Sequence, residues 1–369
     1  SLLLSTLRLL GFFDRPATRD CLDALRGGDV IPGLTEPLEG VSEEEWIAAL
    51  TGLADDHRLI SRAPSHGPIE QVDTHPLIRE YFAGDLRSLQ VPPLSWRRRF
   101  LGWASRQTRE SPWAEGHRRL FRYLCDTAEY RPDGLEQLQP LYQAIAHGCQ
   151  AGYHQQAYEE VYLDRIHRGE RSGGFYPSTR PGAAVANLGA MASFFDQPWN
   201  RVSSNLAPRD QAWVLNGVGV ALRGLARLTE ATEPLQAGLT MRIEQRDWCN
   251  AARCLCNLSE VELALGRLGA AVSSAHTSIE YSERCEEPTV RLAGLVALAN
   301  ALHQAGHRRR ALELFREAET ALKGYQGSSA RPYAPSGAFY CQLLLAAVER
   351  RVWRVQMAMT NPAVHKALP

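Results

Sequence analysis

Two histidines, His303 and His307, stand four residues apart, the spacing at which successive turns of a helix set two metal ligands side by side. Gln304-Ala305-Gly306 between them supplies no Glu, Gly306 marks a turn, and two ligands leave a tetrahedral site half empty. No metal site is therefore expected. Cys249, Cys254 and Cys256 lie on one expected helix, and Cys249 and Cys256, seven apart, share a face that suits core packing better than redox or metal work. The 8 cysteines form no CxxC pair, which argues against a zinc knuckle and against the dense framework of a small secreted domain. They are expected to be reduced and mostly buried, in a cytoplasmic protein.

Nucleophilic and phosphate chemistry is no easier to place. Lys323 and Lys366 are the two lysines among 41 basic residues, and neither lies in a glycine-rich loop. No GxxxxGK[ST] is present, so this chain alone is not expected to hydrolyse a nucleoside triphosphate. There is no GxSxG, and Gly217-Val218-Gly219 lacks the third glycine and the preceding strand of a dinucleotide site. The sequence names no catalytic residue and no cofactor, although catalytic groups can converge from any part of a fold. A basic run, Arg97-Arg98-Arg99, has Trp96 and Trp103 nearby and Arg118-Arg119 further on, a composition able to meet nucleic acid through phosphates and stacking. The 41 acidic residues cancel the 41 basic ones, so a solvated helix face balanced by Glu110 and Glu115 is expected instead, and nucleic acid is not an expected partner.

The elements that carry these residues follow from the apolar pattern. The 369 residues, 44% hydrophobic and 22% charged, make two or three folded domains rather than a disordered chain. The apolar start from Ser1 to Leu10 is interrupted by Arg8 and has no basic leader, so it is expected to be a core helix rather than a signal peptide. The longest uncharged stretches, Pro181 to Phe195 and Pro332 to Val348, fall short of the roughly 18 residues of a spanning helix, and no membrane segment is expected.

Over residues 1 to 90 a first helix runs to about Phe13, Thr18 caps a second through Leu25, and Gly27-Gly28 ends it. Ser42 and Glu45 have capping-box spacing and open a third helix bearing Trp46, Ile47, Leu50 and Leu53. Arg58-Leu59-Ile60-Ser61 and Ile69-Glu70-Gln71-Val72 read as strands about the Pro64 to Pro68 turn, and His75-Pro76 starts another helix. Helices followed by a small β-hairpin outline a winged-helix domain over 1–90. Residues 91–135 are expected to form a helical linker.

Beyond it the chain repeats. Aligning Leu225 to Ala231, Leu265 to Ala271 and Ala305 to Ala311 places alanines at 231, 271 and 311, two steps of 40, with a small residue ahead of each turn at Gly219, Ser259 and Ala299. An earlier, divergent unit fits Ala144 to Ala157, and Pro181 to Leu206 is expected to hold an irregular pair. The fold class is thus mainly α, a winged-helix domain followed by an α-α superhelix of tetratricopeptide-like repeats over 136–357, with a flexible tail over 358–369.

Leu10-Gly11-Phe12-Phe13-Asp14-Arg15-Pro16-Ala17, Trp46 to Leu59, and above all Asp73-Thr74-His75-Pro76-Leu77-Ile78-Arg79-Glu80-Tyr81-Phe82 resemble the winged-helix part of STAND NTPases, the NACHT and NB-ARC signalling ATPases. Leu141 to Gly152, Phe194 to Trp199, Asn257-Leu258-Ser259-Glu260 and Ala301 to Gly306 look like the tetratricopeptide sensor that follows it in bacterial members. The resemblance implies an upstream nucleotide-binding module, the holder of ADP or ATP, that ADP keeps closed until the repeats meet a trigger, with His75 contacting the nucleotide in the closed state. The phosphate loop is missing here, so the resemblance implies a carboxyl-terminal piece of a longer protein.

Two functions of different class follow. In the first the chain is a regulatory and sensor region whose superhelix binds a protein or peptide, and projecting the repeat frame puts Trp213, Asn216, Arg223, Arg253, Glu260, Asn300, His303 and Gln304 on the binding face. In the second it regulates transcription, with a DNA-binding winged helix and a repeat effector domain. Glu43-Glu44-Glu45 and Asp55-Asp56 at the ends of the would-be recognition helix repel phosphate and count against this. A plain interaction scaffold without a switch is the third reading.

Overall fold

The computed structural model describes residues 2–63, 69–89, 111–168, 182–285, 287–324 and 334–360. The chain divides into two compact units, Ser1–Phe194 and Phe195–Pro369. Trp96, Arg97-Arg98-Arg99, Trp103 and Glu110 lie outside the described residues, as does the expected tail beyond 360.

In the first unit α1 (Leu2–Leu10) buries Leu7, Leu9 and Leu10. It ends earlier than expected because Gly11, Phe12 and Phe13 close back on Arg8, Leu9 and Leu10 in a tight turn. Gly11 is needed there, since a Cβ would stand 2.8 Å from the Phe82–Ala83 backbone. Helix α2 (Arg19–Arg26) is capped by Thr18, whose hydroxyl accepts from Cys21 N at 3.4 Å. The capping box at Ser42 and Glu45 is formed in both directions, at 3.2 and 2.9 Å, and opens α3 (Glu43–Thr51). Helix α3 widens into a π-type turn over Gly52–Asp56, burying Trp46, Leu50 and Leu53 while Ile47 stays exposed.

Three antiparallel strands follow the order β1-β3-β2, with β1 at Ala17–Thr18, β2 at Ile60–Ala63 and β3 at Gln71–Thr74. Ile60 pairs with Thr74 and Ala63 with Gln71, while Ala17 pairs with Val72. The hairpin lies two residues later than the sequence placed it, and β1 was not foreseen. Helix α4 (Pro76–Ser88) begins on Pro in its first turn and is tied to α1 by the Arg8–Asp85 ion pair at 2.7 Å.

Helices α5 (Pro112–Thr127) and α6 (Leu135–Gln150) pack together, and α7 (His154–Gln156) runs on as a π-type turn over Ala157–Ile166. The α6–α7 turn has Gly152 at φ +86°, and Tyr153 N donates to Gly148 O at 2.8 Å. Buried Arg165 reaches back to the end of α5 and donates to the carbonyls of Cys125, Ala128, Glu129 and Tyr130 at 2.8–3.1 Å. A cation at that end also opposes the negative pole of the helix dipole. Arg118 and Arg119 pair with Glu115, and Arg119 also donates to Gly27 O at 2.7 Å, so this part of the basic set fastens α5 to the end of α2.

Of the irregular helix pair expected over Pro181 to Leu206, one helix forms, α8 (Ala183–Ala192), and the second is replaced by a β-hairpin, β4 (Phe195–Gln197) with β5 (Arg201–Val202). Pro198 cannot continue a helix, and Trp199 at φ +64° makes the turn.

The second unit then counts in twenties. Helices α9 (Pro208–Gly224), α10 (Leu228–Glu244), α11 (Trp248–Ala264), α12 (Leu268–Ser282), α13 (Pro288–Gln304) and α14 (Arg308–Gly324) start 20 residues apart. Most hold 17 residues and are joined by three-residue turns. The same bond closes turn after turn: Arg227 N to Leu222 O, Asp247 N to Arg242 O, Arg267 N to Glu262 O and His307 N to Leu302 O, at 2.8–2.9 Å. Each such turn has one left-handed residue, Ala226, Arg246, Gly266 or Gly306. The 40-residue step is therefore a longer version of the usual ~34-residue repeat, lengthened in its helices and not its loops.

Close approach occurs where the small residues stand. A Cβ on Gly219 would fall 2.4 Å from Leu235 Cγ, Ser259 Oγ donates to Ala271 O at 2.9 Å, and Ala231, Ala271, Ala299 and Ala311 are fully buried. A last helix, α15 (Ala334–Thr360), packs on α13 and α14 through Phe339, Tyr340 and Leu343.

The cysteine expectation needs correction. Cys249 and Cys285 form a disulfide, with Cα atoms 5.2 Å apart, while Cys21, Cys149, Cys254 and Cys256 are free and buried. Helix α12 runs antiparallel to α11, so its outgoing end comes back to the start of α11 and the two sulfurs meet. The pairing departs from the reduced-thiol premise of the cytoplasmic expectation at two of the 8 cysteines. Among the described residues no helix is long and apolar enough to cross a membrane.

Candidate functional site

The first helices of the three regular pairs, α9, α11 and α13, carry eight of the nine residues singled out in the sequence. On α11 four polar side chains recur at helical spacing, Asn250, Arg253, Asn257 and Glu260, all half-buried. Each reaches a neighbour. Asn257 Nδ2 donates to Asn216 Oδ1 on α9 at 3.0 Å. Glu260 pairs with Arg223 of α9, the two side chains 29% and 27% exposed. Arg253 pairs with Glu287 ahead of α13 and donates to Asn250 Oδ1 at 3.0 Å. Asn250 in turn donates to Asp247, which accepts from buried Arg242 at 2.7 Å.

Arg223 and Glu260, each singled out in the sequence for partner binding, are brought together as a pair that had not been expected, Asn216 is joined to a residue that had not been singled out, and Arg253 turns the other way along the stack. Burial pushes the Glu260 carboxyl above its usual range, and the Arg223 guanidinium pulls it partly back. Asp247 is held below its usual range by its bonds to Asn250 and Arg242, which outweigh its burial. Asn250, Asn257, Asp247 and Glu287 were missed; the three- and four-residue spacing of polar residues on α11 was the signal that would have found Asn250 and Asn257.

On α13 the arrangement differs. Asn300 is 6% exposed, and its Oδ1 has no hydrogen-bond partner. One turn on, His303 Nδ1 is also buried and unpartnered; burial and then the nearby Arg308 charge lower its pKa, with Glu349 opposing. Gln304 is exposed and Trp213 half-buried. His307 sits in the turn after α13, its backbone N–H bonded to Leu302 O, and among the described residues no cluster of three or more His, Cys, Asp or Glu is placed to hold a metal.

His75 belongs to the other unit. It is the exposed cap of α4, where Nδ1 accepts from Leu77 N at 3.2 Å, a role that requires an unprotonated Nδ1. The preceding Asp73 pairs with Arg79, and Thr74 Oγ1 donates to Leu59 O at 2.6 Å, so the end of β3 that leads into the cap is tied to α4 and to the residue ahead of β2.

No protein-family model matches the chain, and no curated protein matches it. Among solved structures, a set of nearly identical tetratricopeptide-like repeats from Podosopora anserina, named for a kinesin light chain, is similar over 59% of this chain and 90% of that one, with 15% identity and a TM-score of 0.33. A signal transduction ATPase with numerous domains from Pyrococcus horikoshii, which carries a tetratricopeptide repeat sensor, is similar over 98% of this chain and 57% of that one, with 11% identity and a TM-score of 0.25.

Proposed function

We propose that the chain is a repeat-based sensor that binds a protein or peptide along α9, α11 and α13. The observation that carries this reading is the half-buried polar set that joins α9 to α11 through Asn216–Asn257 and Arg223–Glu260 and reaches the start of α13 through Arg253–Glu287. The stripe residues already bonded to one another act as a positioned frame. Panning a random-peptide phage library on the full chain tests this, with the Glu260→Ala/Asn300→Leu double variant as counter-target. Peptides enriched on the parent and lost on the variant support the reading; equal enrichment on both sinks it.

The finer proposal is that residues 1–90 are a winged helix and 91–135 its linker, coupling the 136–357 array to an upstream STAND-type nucleotide module. The motif around His75 supports it. A GxxxxGK[ST] loop encoded ahead of Ser1 is the expected finding, and its absence overturns the coupling while leaving repeat binding intact. With that module present, His75→Ala should release ADP faster. His75→Asn keeps a side-chain cap on α4, so if it retains ADP like the parent, His75 acts only as a cap.

A further inference from the structure

Around the start of α14 the carboxylates are already taken. Glu313 pairs with Arg309 and Arg310, Glu317 with Arg291 of α13, and Glu319 with Lys323. Arg308, Arg350, Arg351 and Arg354 are left over: among the described residues no ion pair or hydrogen bond reaches any of their side chains. They are nevertheless gathered. The face of α15 that packs on α13 and α14 through Phe339, Tyr340 and Leu343 carries on, at helical spacing, to Ala347, Arg350, Arg351 and Arg354. With Arg308 from the first turn of α14, these residues line one depression of about 500 Å³.

No carboxylate and no aromatic ring is among the residues that line it. Glu349 is turned away from the three arginines by helical spacing and acts on His303 instead. The stretches that adjoin α15 in sequence, 325–333 and 361–369, contain no Asp or Glu. Arg308 Nη2 is closed off from solvent without an acceptor, a donor left at a cost. Four like charges held together repel, and a concave basic site concentrates the field that an anion would answer.

We propose that this depression binds a compact multivalent oxyanion of the oligophosphate class. Guanidinium groups meet phosphoryl oxygens through paired parallel bonds and stay charged at any ordinary pH. Charge density selects this ligand. An oligophosphate carries a charge on each phosphoryl group with nothing between, whereas four carboxylates of an acidic peptide bring four side-chain stems and their backbone into the same space. With no ring to stack on, the site has no means of holding a nucleobase, and a single depression is not the basic track that a nucleic-acid strand follows. The depression adjoins the proposed peptide-binding face, since the Arg308 charge also acts on His303. It does not rest on that reading: none of its four arginines is carried by α9, α11 or α13, and its test reads phosphate binding with no peptide present.

The test is isothermal titration calorimetry of the full chain with sodium tripolyphosphate. One site per chain is expected, with affinity that falls as salt rises. Arg350→Gln/Arg354→Gln should weaken binding at least about tenfold. Arg309→Gln/Arg310→Gln removes the same charge from two arginines that already pair with Glu313, and should leave the affinity within about twofold. All four side chains are exposed, so both variants should keep the parent's helical circular dichroism. The same phosphoryl chemistry can arrive on a lipid headgroup, so a second arm uses phosphatidylcholine vesicles containing phosphatidylinositol bisphosphate. Co-sedimentation that tripolyphosphate displaces makes the headgroup the source, and calorimetric binding without co-sedimentation makes it a soluble ligand. No binding of the parent in either arm at physiological ionic strength overturns the proposal. So do equal losses in the two double variants, several weak sites per chain, or a glutamate-rich peptide or oligonucleotide that binds more tightly than tripolyphosphate.

Discussion

His117 and His147 meet inside the first unit with their Nδ1 atoms 2.8 Å apart, so one ring donates and the other accepts on an unprotonated Nδ1. Phe12 and Trp113 pack against His117, and burial drives both pKa values down, His147 to about 4. A histidine depressed on folding binds fewer protons folded than unfolded, so its contribution is complete above the unfolded value of about 6.5 and is lost as pH falls toward 4. For His147 alone that amounts to about 3 kcal/mol across the window. Urea midpoints measured between pH 7 and 4 should fall steeply, and the slope should shrink in a His117→Gln/His147→Gln variant; a flat parent profile would remove the argument. Gly219 makes a second case at this scale. With Leu235 Cγ standing 2.4 Å from where its Cβ would be, Gly219→Ala should destabilise by about 1–3 kcal/mol in urea denaturation. Gly224, with open space around it, should accept Ala with no loss or a gain of up to about 1 kcal/mol.

At the scale of elements, the disulfide joins the start of α11 to the chain just past α12 and closes one helix hairpin. Cross-links of this span commonly stabilise by about 2–4 kcal/mol through the unfolded chain. Reduction, or Cys249→Ser, should therefore lower the calorimetric transition of the second unit and leave that of the first in place. Nothing in the sequence announced the pair, because no motif surrounds either cysteine and their juxtaposition depends on the exact length of two helices. Helix starts and stops were more legible. Thr18 and the Ser42 capping box act through bonds a few residues long and Pro76 through its fixed backbone angle, and all three do what their spacing requires. The two-residue strand β1 carries no period to detect, and it exists through pairing with residues more than fifty positions away. The β4–β5 hairpin was hidden by an apolar run that reads equally well as helix until Pro198 and Trp199 are given their turn. In the candidate site, projecting one repeat frame picked out Arg223 and Glu260 as single positions, and their pairing came only with the structure. Asn257 escaped because the frame was projected at other positions of α11 and the three- and four-residue polar spacing along that helix was not followed.

For the whole molecule, period is the governing fact. Alanines at 231, 271 and 311 disclosed the 40-residue step, and the structure halves it, because turns into and out of each pair share one geometry. Stability in such an array is a sum of units and nearest-neighbour interfaces, since each helix touches chiefly the ones before and after it. Ala271 is fully buried at the α11–α12 approach, where its carbonyl accepts from Ser259. Replacing it by Leu forces the two helices apart, an overpacking that costs about 1–3 kcal/mol locally. The loss should spread by contact rather than by sequence, through α10 and α13, which flank the pair. Hydrogen exchange of Ala271→Leu should therefore show weakened protection from α10 to α13, while residues of the Ser1–Phe194 unit keep theirs. Uniform loss across both units would mean that the chain folds as one cooperative body and that the nearest-neighbour account of the array is wrong.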